Sequence, residues 1–556
     1  MKLRRLCIHN FRSVHDAEFE IDDYSLIVGA NNAGKSTVID CIRAVYEKDK
    51  YKFLKERDFP AKPAADNDSW VDLEFKLTEE ESSGLAEKYR RPDGILKIRK
   101  WFISAKNSDS NSLIIGYLAD GSLDSASFYG AKGVQNGKIG DIIYIPAVST
   151  VDEHAKLSGP SALRDLLTEL LGSVIEGGES YQVFSQHFES FVGEVKTAKT
   201  ANSQSLSAFE AELDGSLSEW NVGFRIQFQA PSVQDIVKSM LGWNLLDEIT
   251  NRAFDHKCFG SGFQRHFIFS LVSVGSKYAA KAPTKKTQDF TPSLKFLLFE
   301  EPEAFLHPPQ QEKLSRDLAI LTEKEGWQVL CSTHSPHFVT RHSSRLTSIV
   351  RLRNDGGISK AFQVTKTDWA TLLAARSEIE AIVAPSGSLD DEERSRLEAL
   401  RYFLWLNPER SGLFFTERVI IVEGITEVGL FNRLIDDGLL VIPRSCYVLS
   451  CEGKFNFHRF MRLLTGLGIP HVVVFDDDAG SSKPYHSAIN QLIRDSKSPK
   501  FTKAIIEIPG SLEAFLKMPP PDRNLKPLLA IQRYEEGKFD SGILKGLCEN
   551  VAAGLA

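Results

Sequence analysis

Gly29-Ala30-Asn31-Asn32-Ala33-Gly34-Lys35-Ser36 lies between a short apolar run, Ser25–Val28, and a stretch that carries Val38, Ile39, Cys41, Ile42 and Val45 at helical spacing. A buried strand running into a Gly-rich turn that opens a helix is the setting a phosphate loop requires. Backbone N–H groups and the helix N-terminus converge there on an anion, and a lysine adds a point charge. Asn31, Asn32, Gly34 and Thr37 are therefore assigned to the cradle of a nucleoside triphosphate, ATP. Lys35 is assigned to its β- and γ-phosphates and the Ser36 hydroxyl to Mg²⁺.

Around this loop the chain reads as α/β. Leu3–His9 and Ala17–Ile21 alternate as strands, and residues 60–69 form a loop. Trp70–Leu77 and Ile95–Ser104 follow as an antiparallel meander, and Asp141–Pro146 as a further buried strand. Far downstream, Leu294–Phe299 is a near-continuous apolar run, as a central parallel strand should be, and it ends in Glu300-Glu301-Pro302-Glu303. Carboxylates at such a strand end belong beside the phosphate loop. Glu300 is assigned to Mg²⁺ through water and Glu301 to polarising the attacking water. Val329–Thr333 is the next strand, with His334 at its tip as a γ-phosphate sensor.

A second constellation sits near the C-terminus. Val419–Val422 is an apolar strand ending in Glu423-Gly424, with Glu427 one helical turn on. His471–Phe475 is another, ending in Asp476-Asp477-Asp478. Alternation puts Asp476 and Asp478 on one side and Asp477 on the other. Four carboxylates (Glu423, Glu427, Asp476, Asp478) from two strand ends are a suitable set for two Mg²⁺ or Mn²⁺ ions in phosphodiester cleavage. Lys454, His458, Arg459 and Arg462 are basic candidates for phosphate contact beside them, and Lys277, Lys281, Lys285 and Lys286 form a second cluster.

The 556 residues exceed one core, and a 42% hydrophobic, 25% charged composition is that of an ordinary globular protein. A net charge of -7 requires any nucleic-acid contact to come from local basic patches. The seven scattered cysteines form neither a zinc pattern nor a disulfide framework. No signal peptide and no apolar run of membrane-spanning length is visible, so a cytoplasmic protein with no membrane partner is expected. Leu163, Leu166, Leu167, Leu170 and Leu171, then Phe184, Phe188 and Phe191, recur at helical spacing, and are expected to form a helical insertion with a small core of its own.

Phosphate loop, acidic strand end and strand-tip histidine together resemble the ABC-type ATPases, and Asn10-Phe11-Arg12-Ser13 resembles the opening of their chromosome-maintenance branch. The resemblance implies that Arg12 approaches the phosphates. It also implies a composite site in which Ser261 and Gly262, in Gly260-Ser261-Gly262-Phe263-Gln264-Arg265, reach the γ-phosphate of a second subunit. Phe263 departs from the usual glycine, and no Gln-loop glutamine is evident. Glu423 with Asp476 and Asp478 resembles the Toprim domain. Together with Gly453-Lys454, Leu512-Glu513 and Lys526-Pro527, the whole chain resembles the OLD (overcoming lysogenisation defect) family of ATP-dependent nucleases.

That resemblance implies an ABC-type ATPase head with a helical insertion followed by a C-terminal Toprim α/β domain. The expected boundaries are 1–154 and 251–365 for the head, 155–250 for the insertion, 366–415 for a helical connector and 416–556 for Toprim. It also implies that Glu513 joins the metal site and that Lys526 stabilises charge developing in the transition state. The expected partners are DNA, with RNA compatible, and a second copy in a homodimer or higher even oligomer through the head and insertion. A companion protein or RNA and a role in bacterial defence against phage are further expectations. The competing reading is a non-cleaving, nucleotide-driven DNA clamp with an inactive Toprim domain. Topoisomerase chemistry would need a tyrosine-bearing DNA module, for which the chain after Asp478 is too short.

Overall fold

The computed structural model describes the chain except for residues 48–50, 105–112, 131–136, 148–162, 164–166, 169–170, 172–178, 201–203, 219–221, 229, 279–289, 291, 384–389, 443–444, 480–482, 484, 519–524 and 556. Two compact units result, residues 1–147 with 288–556, and residues 148–287.

The first unit is built on a mixed sheet of twelve strands. Its N-terminal part is β1 (Lys2–Phe11), β2 (Val14–Glu20), β3 (Tyr24–Val28), β4 (Ser69–Lys76), β5 (Ile95–Ile103), β6 (Ile114–Tyr117), β7 (Leu123–Ser127) and β8 (Asp141–Ile145). The second unit contains only the short pair β9 (Leu245–Asp247) and β10 (Arg252–Phe254) among its described residues. The first unit continues with β11 (Lys295–Glu300), β12 (Trp327–Ser332), β13 (Ile349–Asp355) and β14 (Ile358–Gln363).

Spatially the order is β7-β6-β5-β4-β1-β2-β14-β13-β3-β12-β11-β8. The run β13-β3-β12-β11-β8 is parallel throughout, and β1, β2, β4, β5, β6 and β7 pair antiparallel among themselves, β4 and β5 as their alternating pattern predicts. β3, the strand that feeds the phosphate loop, is buried at every position, as are the apolar residues of β11 and all of β12. A strand covered on both faces reads as a continuous apolar run, which is why these three were visible in the sequence. β8 differs: it closes the sheet as an edge, with only Ile142 and Ile145 buried.

The Toprim part is a second, wholly parallel sheet, β16-β15-β17-β18, made of β15 (Arg418–Val422), β16 (Cys446–Ser450), β17 (His471–Asp476) and β18 (Thr502–Ile508). β15 and β17 are neighbours, so Glu423 and Asp476 come from adjacent strand ends. Between the sheets lie the helices Lys366–Leu373, Ala375–Ile382 and Asp391–Trp405 and the single turn Arg410–Phe415. This connector is fixed to the Toprim helix Phe457–Gly466. Arg459, 1% exposed, pairs with Glu398, 0% exposed, and Trp405 stacks on Phe460.

That pairing corrects an expectation. His458 and Arg459 are buried and Arg462 is ion-paired to Glu378, so these three hold the connector and do not offer charge to a nucleic acid. Burial, with Arg459 and Arg462 adding to it, pushes the His458 imidazole down to about 2, so it is neutral.

In the second unit the helix Glu179–Thr197 carries Phe184, Phe188 and Phe191 in a ring ladder, as spacing suggested. Phe184 and Phe191 are 39% and 58% exposed, however, so this ladder is a surface stripe and not the small core expected of it. Leu163, Leu167 and Leu171 are helical, while Leu166 and Leu170 lie outside the described residues, as do Lys281, Lys285, Lys286 and the side chain of Lys277. Among the described residues no helix is long and apolar enough to cross a membrane.

Candidate functional site

The nucleotide site is assembled at the C-terminal ends of β3, β11 and β12. Gly29 (φ +142°) lets the chain leave β3 beneath β13, where a Cβ would lie 2.3 Å from the Leu352 carbonyl oxygen. Gly34 (φ +102°) opens α1 (Lys35–Tyr46), and a Cβ there would lie 2.5 Å from the Ser359 hydroxyl. Asn31 and Asn32 are exposed at the tip, and the Asn354 amide donates to the Asn32 carbonyl at 3.1 Å. Lys35 Nζ turns back into the loop, donating to the Gly29 and Ala30 carbonyls at 3.0 and 2.8 Å. Burial lowers its pKa to about 8, so a bound phosphate would restore the charge that burial disfavours. Thr37 is buried and Ser36 exposed.

Across from α1, Glu300 is buried, hydrogen-bonded by the Ser36 hydroxyl and by the Tyr144 phenol at 3.0 Å. Burial holds its carboxyl above the ordinary range. Glu301 follows with φ 42°, in the left-handed region, which turns its carboxylate to within 3.6 Å of His334 Nε2. A non-glycine residue held there is strained, and such strain gathers at functional sites. Glu303 was quoted in the sequence without a role. Its carboxylate accepts from the His334 backbone N–H at 2.6 Å. Burial, with the Lys35 charge second, lowers the His334 imidazole. Arg12 is braced beside α1, donating to Asp58 at 2.9 Å, Asp40 at 2.8 Å and the Tyr51 phenol at 2.6 Å. Ser261 begins the helix Ser261–Tyr278 in the second unit, with Gly262 next and Phe263 exposed.

In the Toprim part, Glu423 leaves β15, and Glu427 caps the following helix by accepting from the Gly424 N–H at 2.9 Å. Burial and the neighbouring Glu427 and Asp478 push Glu423 up to about 7, and burial with Glu423 pushes Asp476 up to about 7. Carboxylates crowded together and partly withdrawn from water make a site that favours a cation. Asp477 faces elsewhere, accepting from the Gly510 N–H at 2.6 Å. Asp478, at φ 53°, is held by Lys454, whose ammonium also donates to the Asp476 carbonyl, and by His486 Nδ1 at 2.7 Å. Glu513 pairs with Lys526, which opens the helix Lys526–Glu535. The Lys526 charge opposes, without cancelling, the rise of Glu423 and Asp476.

As they stand, no three His, Cys, Asp or Glu side chains among the described residues are arranged to hold a metal ion. Lysines occupy the carboxylates of Asp478 and Glu513 instead. His486 was not foreseen. Its position eight residues beyond Asp478 gives no local signal, because it is the helix Tyr485–Asp495 that carries it back to the strand end.

A family model described as "AAA ATPase domain" matches residues 1–154 and 161–339. One described as "Overcoming lysogenization defect protein-like, TOPRIM domain" matches residues 414–478. The class is thus an ATPase domain joined to a TOPRIM domain, a mixed sheet followed by a parallel α/β sheet. The chain belongs to the AAA ATPase domain family and carries an OLD-like TOPRIM domain. It is 24% identical to the Old nuclease of Escherichia phage P2 over 86% of this chain and 77% of that one. It is 22% identical to Endonuclease GajA of Bacillus cereus (strain VD045) over 97% and 86%. It is also 22% identical to the OLD nuclease of Thermus scotoductus over 86% and 82%.

Proposed function

We propose that this chain is an ATP-gated, divalent-metal-dependent DNA endonuclease or nickase, acting in defence against phage. The observation that carries the reading is the pair of partly buried carboxylates, Glu423 and Asp476, at neighbouring strand ends and each raised to about 7. That is a poor arrangement for a stable protein and a suitable one for binding Mg²⁺ or Mn²⁺. Glu423, Asp476, Asp478, Glu427 and Glu513 would hold the ions, two in number. When bound they supply an activated water and charge neutralisation at the scissile phosphate. Lys526 stabilises the developing negative charge, and Lys454 orients Asp478. DNA is positioned through its backbone, which needs no base-specific contact.

At the other site Lys35, Ser36, Thr37, Asn31, Asn32 and Gly34 bind the triphosphate, and Ser36 and Glu300 would hold its Mg²⁺. Glu301 orients the attacking water, and His334 senses the γ-phosphate. Arg12 acts as the brace of α1 beside the loop. Ser261 and Gly262 complete the site of a second copy, which makes an even-numbered oligomer the working form. The test is Asp476-dependent nicking of supercoiled plasmid with Mn²⁺ or Mg²⁺, with and without ATP. Loss of nicking in Asp476→Ala with ATP turnover retained supports two separate sites. Equal loss of both contradicts them.

A further inference from the structure

The nucleotide and metal sites are bridged by one short segment, Arg410–Phe415, which each of them touches by a different route. From the nucleotide side, His334 lies at the β12 tip with its ring 6.4 Å, centroid to centroid, from that of Phe415. The helix that follows, Pro336–His342, brings the Thr340 hydroxyl to 3.1 Å from that of Ser411. β13 supplies a third hold. Its Arg351 is 1% exposed and donates to the carbonyls of Phe414 at 3.3 Å, Thr416 at 2.6 Å and Leu467 at 3.1 Å. The same strand presses its Leu352 carbonyl on Gly29 and reaches Asn32 through Asn354, so it also carries the phosphate loop.

On the nuclease side, Arg410 pairs with Glu452. Glu452 lies in the loop Cys451–Lys454, whose Cys451 and Gly453 N–H groups donate to the Val422 and Glu423 carbonyls, each at 2.9 Å. Lys454, two residues on, sits on Asp478 and the Asp476 carbonyl. Beyond Phe415 the chain runs directly into β15, which ends at Glu423.

We infer that the turn Arg410–Phe415 is the coupling element through which the nucleotide state at His334 sets the position of Lys454 against Asp478 and Asp476. The inference rests on the proposed reading of the two sites and adds the route between them. Contiguity alone is not coupling; the physical requirement is a segment that both sites load. Phe415 and Arg410 are the two ends of such a segment. The preceding helix Asp391–Trp405 cannot absorb the motion, because the buried Arg459–Glu398 pair and the Trp405–Phe460 stack fix it to the helix Phe457–Gly466. The Arg410–Glu452 pair is 14% and 54% exposed, a geometry that adds little to stability, so it can be altered without unfolding the protein.

The experiment uses the full chain, supercoiled plasmid, Mn²⁺ and ATP, in the parent and in Arg410→Glu, Glu452→Arg, the Arg410→Glu/Glu452→Arg double variant and Phe415→Leu. Three quantities are read: nicking without nucleotide, ATP turnover, and the ratio of nicking with ATP to nicking without it. Expected for the three single variants are nucleotide-free nicking and ATP turnover within about twofold of the parent, with the ratio collapsing to within about twofold of unity. The double variant is expected to restore the parental ratio. Singles that keep the parental ratio, or a double variant that stays uncoupled, overturn the inference. A parent that nicks equally with and without ATP overturns it too, while leaving the nuclease reading intact. A parent without Asp476-dependent nicking removes the nuclease reading and the inference with it.

Discussion

The carboxylate of Glu303 accepts a hydrogen bond from the backbone N–H of His334 at 2.6 Å, tying the end of β11 to the tip of β12. Register already puts Glu300 opposite Ser332, so the two loops leave the sheet side by side. The bond fixes where the His334 ring begins, and with it the 3.6 Å approach to Glu301.

Glu303→Ala is therefore expected to slow ATP turnover while nucleotide affinity changes little. A charge-assisted hydrogen bond is worth about 1.5–3 kcal/mol, so the loss should be roughly 10- to 100-fold. Turnover measured beside equilibrium binding of a fluorescent nucleotide checks this. Parallel loss of binding would mean that Glu303 supports the whole loop and not the histidine.

Glu423→Gln is expected to abolish nicking and yet raise the melting temperature in the presence of EDTA. It removes a partly buried carboxylate that burial, then Glu427 and Asp478, push up to about 7, and that in turn adds to the rise of Asp476. Added Mn²⁺ should stabilise the parent and leave the variant unmoved, since an ion that binds only the folded state shifts the transition by mass action. A variant that melts below the parent in EDTA would contradict the repulsion of Glu423 by Glu427 and Asp478.

How far these sites were legible depends on burial. β3, β11, β15 and β17 are covered strands whose charged residues begin where the apolar run stops, so the loops Gly29–Ser36, Glu300–Glu303, Glu423 and Asp476–Asp478 could be read directly. The basic residues after β16 could not be sorted that way. Lys454 reaches the site while Arg459 is buried against Glu398, sixty-one positions away in the chain, and nothing local distinguishes the two. The aromatic stripe of Glu179–Thr197 has the spacing of a core face, and spacing does not say whether anything covers it. Arg351 looks like one more strand residue, because its partners are backbone carbonyls, which leave no mark on a sequence.

Arg459→Met is expected to lower the melting temperature without changing the salt dependence of DNA binding. Breaking a buried ion pair by removing one partner costs about 3–5 kcal/mol, because the remaining charge is stranded. Arg459→Met combined with Glu398→Leu should recover most of the loss. A reduced slope of log affinity against log salt in Arg459→Met would put this guanidinium on a phosphate after all.

Asp58 gives a pH signature. Burial pushes its carboxyl up, but hydrogen bonds from Arg57, the Leu54 N–H and Arg12 outweigh it and leave the group below its ordinary value. A carboxylate lowered by folding contributes stability above its unfolded value, and the contribution fades as pH falls through the folded value. Asp58→Asn should therefore melt below the parent at neutral pH, with the two curves converging as pH falls below the ordinary carboxylate range. A constant gap across that range would show that the effect is one of shape and not of charge.

The central claim is that Glu423, Asp476 and Asp478 form a metal-dependent phosphodiester-cleaving site distinct from the ATP site. The most direct measurement is conversion of supercoiled plasmid to nicked or linear form by the parent and Asp476→Ala, with Mn²⁺ or Mg²⁺ and with EDTA, alongside ATP turnover of both proteins. The account predicts cleavage by the parent only with metal, none by Asp476→Ala, and ATP turnover within about twofold in the two. Cleavage retained in Asp476→Ala, or ATP turnover lost with it, would contradict the account.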